Sequence, residues 1–236
     1  MKTLEIKITF LEEILGSLPS NESIYRDFIS GKAPDAQTVT EEIEDMGADA
    51  VAEKGMTVFR RDEDGDPFLY DYQVKGFFKD ACRMLLEIPG TESSKLSTYT
   101  LGKKIDGLIF PNPRKIKLVM PEGAEVGYCE RPLRAQTMRG DRVALACSEC
   151  CPAGTTCTFE ITTLADFSTP KTKKKKVKAK DADGNEVETT VEEAANNGID
   201  YVKLIKEWLD YGRYRGIGQW RNSGAGAFEW ELIAEY

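Results

Sequence analysis

The stretch from Tyr211 to Ile233 holds residue types suited to gripping a phosphate backbone. Gly212, Gly216, Gly218, Gly224 and Gly226 fall within fifteen residues, interleaved with Arg213, Arg215 and Arg221. Glycine lets the backbone approach a ligand closely and take positive φ, so such a loop can present its amides to phosphates. The same residues equally suit a glycine-rich corner joining a helix to an edge strand. With no Gly-Lys-Ser/Thr run and no strand-to-helix context, it is not a Walker loop. A second basic set, Lys75, Lys79 and Arg83, recurs at i, i+4 and i+8. That is one stripe of a helix, which either contacts phosphates or faces water. Arg131, Arg134, Arg139 and Arg142 form a third set.

Other clusters carry weaker chemistry. Cys147, Cys150, Cys151 and Cys157 crowd together, and a Cys-x-x-Cys knuckle is half of a zinc site. A structural zinc needs a second such pair or histidines, so small buried thiols are the competing reading. Asp62, Asp64 and Asp66 around Gly65 have the carboxylates of a calcium loop but not its spacing, which favours a solvated turn. The chain contains no histidine. That removes the commonest general base and metal ligand, making triad hydrolysis and catalytic zinc chemistry poor fits.

These residues sit in a 236-residue chain with 40 acidic and 32 basic side chains, a net charge of −8 and a pI near 4.9. Global charge therefore opposes nucleic-acid binding, and any such binding needs a local basic face. The absence of a signal-like N-terminus or a long apolar run leads to the expectation of a cytoplasmic protein with reduced cysteines and no membrane partner.

The elements that must position the chemistry follow from hydrophobic periodicity. Leu4, Ile6, Ile8 and Phe10 alternate with polar residues as in a half-buried strand. Residues 17–54 read as an excursion. Val74, Phe77, Phe78, Ala81, Cys82 and Leu85 recur at helical spacing, predicting a helix over 74–86. Segments 98–102, 105–110 and 114–120 read as strands, and residues 128–146 as part of a long hairpin. A strand follows at 155–164. Seven lysines between Lys171 and Lys180, then an Asp-Gly turn, mark 166–198 as a protruding hairpin or insertion that either attracts nucleic acid or is simply solvated. Tyr201, Leu204, Ile205, Trp208 and Leu209 predict a second helix, and 227–233 a closing strand. Without its excursions the order is βαββαβ, the plan of an α+β, ferredoxin-like or RRM-like domain spanning the whole chain.

With that order in place, several segments resemble the RAMP superfamily, in particular the Cas-seven-like backbone subunits of type III CRISPR effector complexes. Lys75-Gly76, after the run from Met56 to Asp62, is similar to the family's Ser-Leu-Lys-Gly helix start. Glu149, Pro152, Gly154, Thr155 and Phe159 resemble its Glu-x-x-Pro-x-Gly-Thr-x-Phe strand, and Gly216, Gly218, Arg221, Gly224 and Gly226 its C-terminal glycine loop. The resemblance implies a core that binds guide RNA through backbone contacts, stacks with copies of itself or other effector subunits, and inserts a thumb hairpin, here 128–146, between nucleotides. RNA-cleaving members carry an aspartate shortly before the position matched by Val58, where this chain has Gly55 and Met56; its nearest preceding acids are Asp49 and Glu53.

The expectation is a non-catalytic RNA binder without cofactors in a bacterial or phage-infected cell. Lys75, Lys79, Arg83, Arg131, Arg134, Arg142 and Arg221 are its phosphate-binding candidates, with amides of Gly76, Gly216, Gly218, Gly224 and Gly226. The alternative is a phage-encoded protein-interaction module, an anti-defence antagonist reusing the same fold. A third reading is a magnesium-dependent nuclease using Asp49, Glu53 or the acidic turn.

Overall fold

In the first strand, β1 (Lys2–Phe10), the four apolar residues are buried, and Glu5, Lys7 and Thr9 stand half-buried on the other side. The computed structural model describes residues 1–20, 56–96, 101–137, 140–164, 172–180, 186–194 and 199–236. Pairing with β1 on either side are β11 (Thr156–Thr163) and β14 (Phe228–Glu235), and β7 (Ile109–Asn112) joins β11. All three pairings are antiparallel, in the order β14–β1–β11–β7. Helix α1 (Asp71–Leu85) and the short α2 (Leu101–Leu108) lie in the chain between β1 and β7, and α3 (Tyr201–Tyr211) between β11 and β14. The protein is therefore α+β. With α2 set aside, the topology is a ferredoxin-like βαββαβ core with spatial order four, one, three, two.

Packing explains why both long helices occupy the same face. Val74, Phe77, Phe78, Ala81, Cys82 and Leu85 of α1 are buried, as are Tyr201, Leu204, Ile205, Trp208 and Leu209 of α3. The Phe78 and Trp208 rings meet at 5.4 Å, and Phe77 packs edge-on against Phe228 at 5.1 Å. Local hydrogen bonds set the helix starts. The Asp200 carboxylate accepts from the amides of Val202 and Lys203 at 3.0 and 3.1 Å, and Gln73 Oε1 accepts from Tyr70 N at 2.8 Å.

A second sheet is built around the long hairpin of β9 (Gly127–Thr137) and β10 (Gly140–Cys151), whose register runs from Gly140 opposite Thr137 to Cys150 opposite Gly127. The root of β10 also pairs with β2 (Ile14–Leu15) and β4 (Thr57–Val58), and β4 with β3 (Leu18–Pro19). A small sheet joins β5 (Arg60–Arg61), β6 (Pro67–Tyr70) and β8 (Lys115–Lys117). The lysine-rich segment forms β12 (Thr172–Lys180), paired with β13 (Glu186–Ala194) in a sheet of its own. Its register sets Lys173, Lys174, Lys178 and Lys180 opposite Glu193, Glu192, Glu188 and Glu186.

Two expectations are corrected. Residues 101–108 are helical, not parts of strands at 98–102 and 105–110, and among the described residues there the strands are β7 and β8. Gly102 and Gly107 read locally as helix breakers, yet Leu101, Ile105 and Leu108 are spaced i, i+4, i+7, and burial of Ile105 decides the outcome. The first helix starts at Asp71, three residues earlier than the apolar pattern indicates. Most of the excursion at 17–54, with Asp49 and Glu53, lies outside the described residues. Among the described residues no helix is long and apolar enough to cross a membrane.

Gly76 is exposed in the interior of α1, and a Cβ there meets nothing within 4 Å. Gly76→Ala is expected to raise unfolding free energy by about 0.5–1 kcal/mol. Phe78→Ala, which empties the contact with Trp208, is expected to lower it by about 3–5 kcal/mol. Urea denaturation of the two variants beside wild type checks both signs.

Candidate nucleic-acid interface

The open face of the four-stranded sheet is the first place to look, because RRM domains stack bases on aromatic residues there. Here its central strands β1 and β11 present Glu5, Lys7 and Thr9 beside Thr158, Glu160 and Thr162. Lys7 pairs with Glu231 at 3.2 Å, and the Tyr236 hydroxyl donates to Glu5 at 2.9 Å. The central strands thus offer carboxylates, which repel phosphate, and threonines, and no aromatic ring on which a base could stack.

The glycine loop between α3 and β14 is held by backbone contacts. A Cβ on Gly216 would stand 2.0 Å from the carbonyl carbon of Gly226, and one on Gly226 1.9 Å from the Ile217 oxygen. Only glycine permits that approach. Ile217 N donates to Gly226 O at 3.0 Å, Gly226 N donates to Glu13 O at 2.8 Å, and Gly218 passes over β2. Gly224 has open space beside its Cα. Side chains then fasten the loop to α1. Arg215 Nε and Arg221 Nη1 both donate to Asp80 Oδ2, the latter at 3.0 Å, and Arg215 Nη1 donates to Asn222 Oδ1 at 2.8 Å.

The root of the hairpin meets this loop. Arg131 on β9 is 4 % exposed, and its guanidinium lies 4.5 Å from the centre of the Trp220 ring. Its Nη2 donates to Ser148 Oγ at 2.5 Å, and Ser148 shares a 2.7 Å hydrogen bond with Thr57. Nε and Nη1 of Arg131 are buried without a hydrogen-bond partner. Trp220 takes a left-handed backbone conformation at φ 56, uncommon for a bulky side chain. Beside them Glu149, almost wholly buried, accepts from Phe59 N at 2.8 Å and from Arg61 Nη2 at 2.7 Å, tying the hairpin root to the 57–61 segment.

The predicted residues therefore separate into groups. Arg131, Gly216, Gly218, Arg221, Gly224 and Gly226 come together at the junction of hairpin and loop. Gly76 and Arg83 lie on α1 at i−4 and i+3 from Asp80, on the helix face that fastens the loop. Lys75 and Lys79 turn toward α2: Lys79 pairs with Asp106 at 2.6 Å, and Lys75 donates to the Asp106 carbonyl at 3.3 Å beneath the Phe110 ring. Arg134 and Arg142 occupy the outer part of the hairpin, in register with Val143 and Ala135. The sequence reading overlooked Asp80, Glu13, Ser148 and Trp220. A tryptophan inside the glycine-rich loop was the one available signal.

Among the described residues the cysteines are not gathered into a group of three or more potential ligands. Among the described residues the one group of three or more potential ligands is Asp62, Asp64 and Asp66. There the Asp62 carboxylate accepts from the amides of Asp64 and Asp66, and Lys117 pairs with Asp66, the arrangement of a solvated turn. Cys151 and Cys157 are buried in the core, and burial pushes each thiol up to about 12. Cys150 is pushed to about 11, first by burial and then by the charge of Glu13. Cys129, also raised by burial, donates to Glu13 at 3.2 Å.

No protein-family model matches the chain, and no curated protein does. Among solved structures the chain is similar to one from a "Type IV-B CRISPR Complex", at 10 % identity and a TM-score of 0.44, over 99 % of this chain and 91 % of that one.

Arg131→Met, which keeps the length of the side chain and removes a buried cation with unpaired donors, is expected to leave stability unchanged or raise it by about 1 kcal/mol or more in urea denaturation. A loss of several kcal/mol would mean that the contacts with Ser148 and Trp220 outweigh the burial. Since a thiol raised about two pH units is largely protonated at neutral pH, native Cys150 is expected to react with iodoacetamide about 100-fold more slowly than free cysteine at pH 7.5, as read by mass spectrometry.

Proposed function

We propose that this chain is a non-catalytic, RNA-binding subunit of a ribonucleoprotein assembly of the CRISPR backbone type. The observation that supports it most is the junction of hairpin and glycine loop. Lys79, Arg215 and Arg221 are neutralised by Asp106 and Asp80, whereas Arg131, first of the hairpin arginines, keeps two unpaired N–H groups. Arg131 stands at the root of β9, and the sequence sets Arg134 and Arg142 further out on the same hairpin. On this reading the hairpin is the local basic face that an acidic protein needs to hold a polyanion. The resemblance of the glycine loop and of the Glu149–Phe159 strand to the backbone subunits points the same way. Assembly with further copies or other effector subunits has a natural place at the edge strand β14, where Leu232 and Ile233 are 40 % and 49 % exposed.

A protein-interaction module, such as a phage-encoded antagonist of such an assembly, is the second reading. The observation favouring it is the acidic open face of the central sheet, which suits a basic protein surface better than RNA.

Fluorescence anisotropy with a labelled single-stranded RNA separates the two. Binding at low salt that weakens steeply as salt rises is expected. The double variant Arg134→Ala, Arg142→Ala should lower the log–log salt slope by about 1.4, roughly 0.7 for each phosphate contact removed. Absence of wild-type binding at low salt overturns the RNA reading and leaves the interaction module. Cleavage of the RNA on adding magnesium overturns the non-catalytic assignment.

A further inference from the structure

Trp220 is a large aromatic on the glycine loop, and its ring meets the root of the hairpin at Arg131. One face of the indole is covered by the Arg131 guanidinium. The residue is nonetheless 41 % exposed, and it lines an open cavity of about 430 Å³ together with Arg215, Gly218, Gln219, Arg221 and Asn222. Arg131 has no part in that cavity. The ring is therefore backed by a buried cation, and the residue is partly exposed at a cleft within the size range of small-molecule sites.

Three properties of the ring and its cleft point to one ligand chemistry. The ring's rotation is restricted by the guanidinium packed against one of its faces. Stacking on it therefore costs little side-chain entropy. The cleft wall supplies the amides of Gln219 and Asn222, able to donate to and accept from the edge of a planar heterocycle. Asn222 Oδ1 already accepts from Arg215, which leaves its NH₂ group as a donor. The third property is the position of the cleft beside Arg131, near the start of β9.

We propose that Trp220 is a stacking platform for one unpaired nucleobase of a bound single strand, with Gln219 and Asn222 at the edge of that base. The site rests on the RNA-binding reading above and deepens it: the hairpin holds phosphates, and Trp220 holds a base. Base–aromatic stacking tolerates any sequence, so the platform adds affinity and fixes the register of the strand with little choice of base.

The test compares a labelled oligouridylate with an abasic oligonucleotide of the same length, each titrated by anisotropy against wild type, Trp220→Asn and Trp220→Phe. Asparagine tolerates the left-handed backbone but offers no ring; phenylalanine keeps one. Trp220→Asn is expected to bind the oligouridylate roughly 5- to 100-fold more weakly, the factor one stacked base contributes, with the salt slope unchanged. Trp220→Phe should retain most of the affinity, and the abasic strand should bind wild type and Trp220→Asn alike. If wild type binds the oligouridylate and Trp220→Asn binds it equally well, the platform is wrong and the RNA reading stands. If wild type binds neither strand at low salt, the RNA reading itself fails and the platform with it. A fall in affinity for both strands together, with a shallower salt slope, would make Trp220 a support for phosphate contacts and overturn the stacking role. Should Trp220→Asn not fold, equal affinity of wild type for the two strands is sufficient to reject the proposal.

Discussion

The ring of Phe228 is the contact on which the rest of the arrangement depends. It packs edge-on against Phe10 of β1 at 6.2 Å and Phe77 of α1 at 5.1 Å, so it joins the central strand, the first helix and the closing strand at one point. It also lies where a side chain on Gly212 would be, a Cβ there standing 2.2 Å from the ring. The end of α3 is thereby pressed onto the start of β14, and the intervening loop must leave and return within a few ångströms. The mutual approach of Gly216 and Gly226 is the consequence. Glycine content that looks designed for a ligand is first a requirement of closing the fold, and whatever the loop binds is held by a rigid frame.

Electrostatics divides the cations of this acidic chain into two populations. Ion pairs with Asp106 and Asp80 absorb Lys79, Arg215 and Arg221 while fixing α2 and the glycine loop against α1. These are partly exposed pairs, each worth little alone; their effect is geometric, in setting where the loop lies. Arg131 is the exception. Burial without a carboxylate costs stability, and such a group is retained where its charge or its fork of donors is used. Its guanidinium lies against the Trp220 ring at the root of the hairpin, so it joins hairpin and glycine loop.

The strands and helices of the core were legible in the sequence because their signals are local. Alternation in residues 4–10 and the three- and four-residue spacing of Val74 to Leu85 and Tyr201 to Leu209 each specify a buried face without reference to anything distant. The order of those elements then limits the sheet to few topologies. The exception, α2, is instructive: eight residues with two glycines carry too little periodicity to outweigh their composition, and only the pocket that receives Ile105 decides for helix.

The candidate site was legible only in part. Sequence alone determined which residues are basic, that they fall on a helix, a hairpin and a glycine-rich loop, and that the chain carries the elements of an α+β fold. It did not determine which cations are free. Lys75, Lys79 and Arg83 form an even stripe on paper, yet two of the three turn to Asp106; Arg221 meets an aspartate 141 positions away. Tertiary structure alone buried Arg131, set its guanidinium against the Trp220 ring and left Trp220 lining an open cavity. The physical reason is range: periodicity acts over one or two helical turns, whereas desolvation and ion pairing depend on neighbours that only the folded chain brings together.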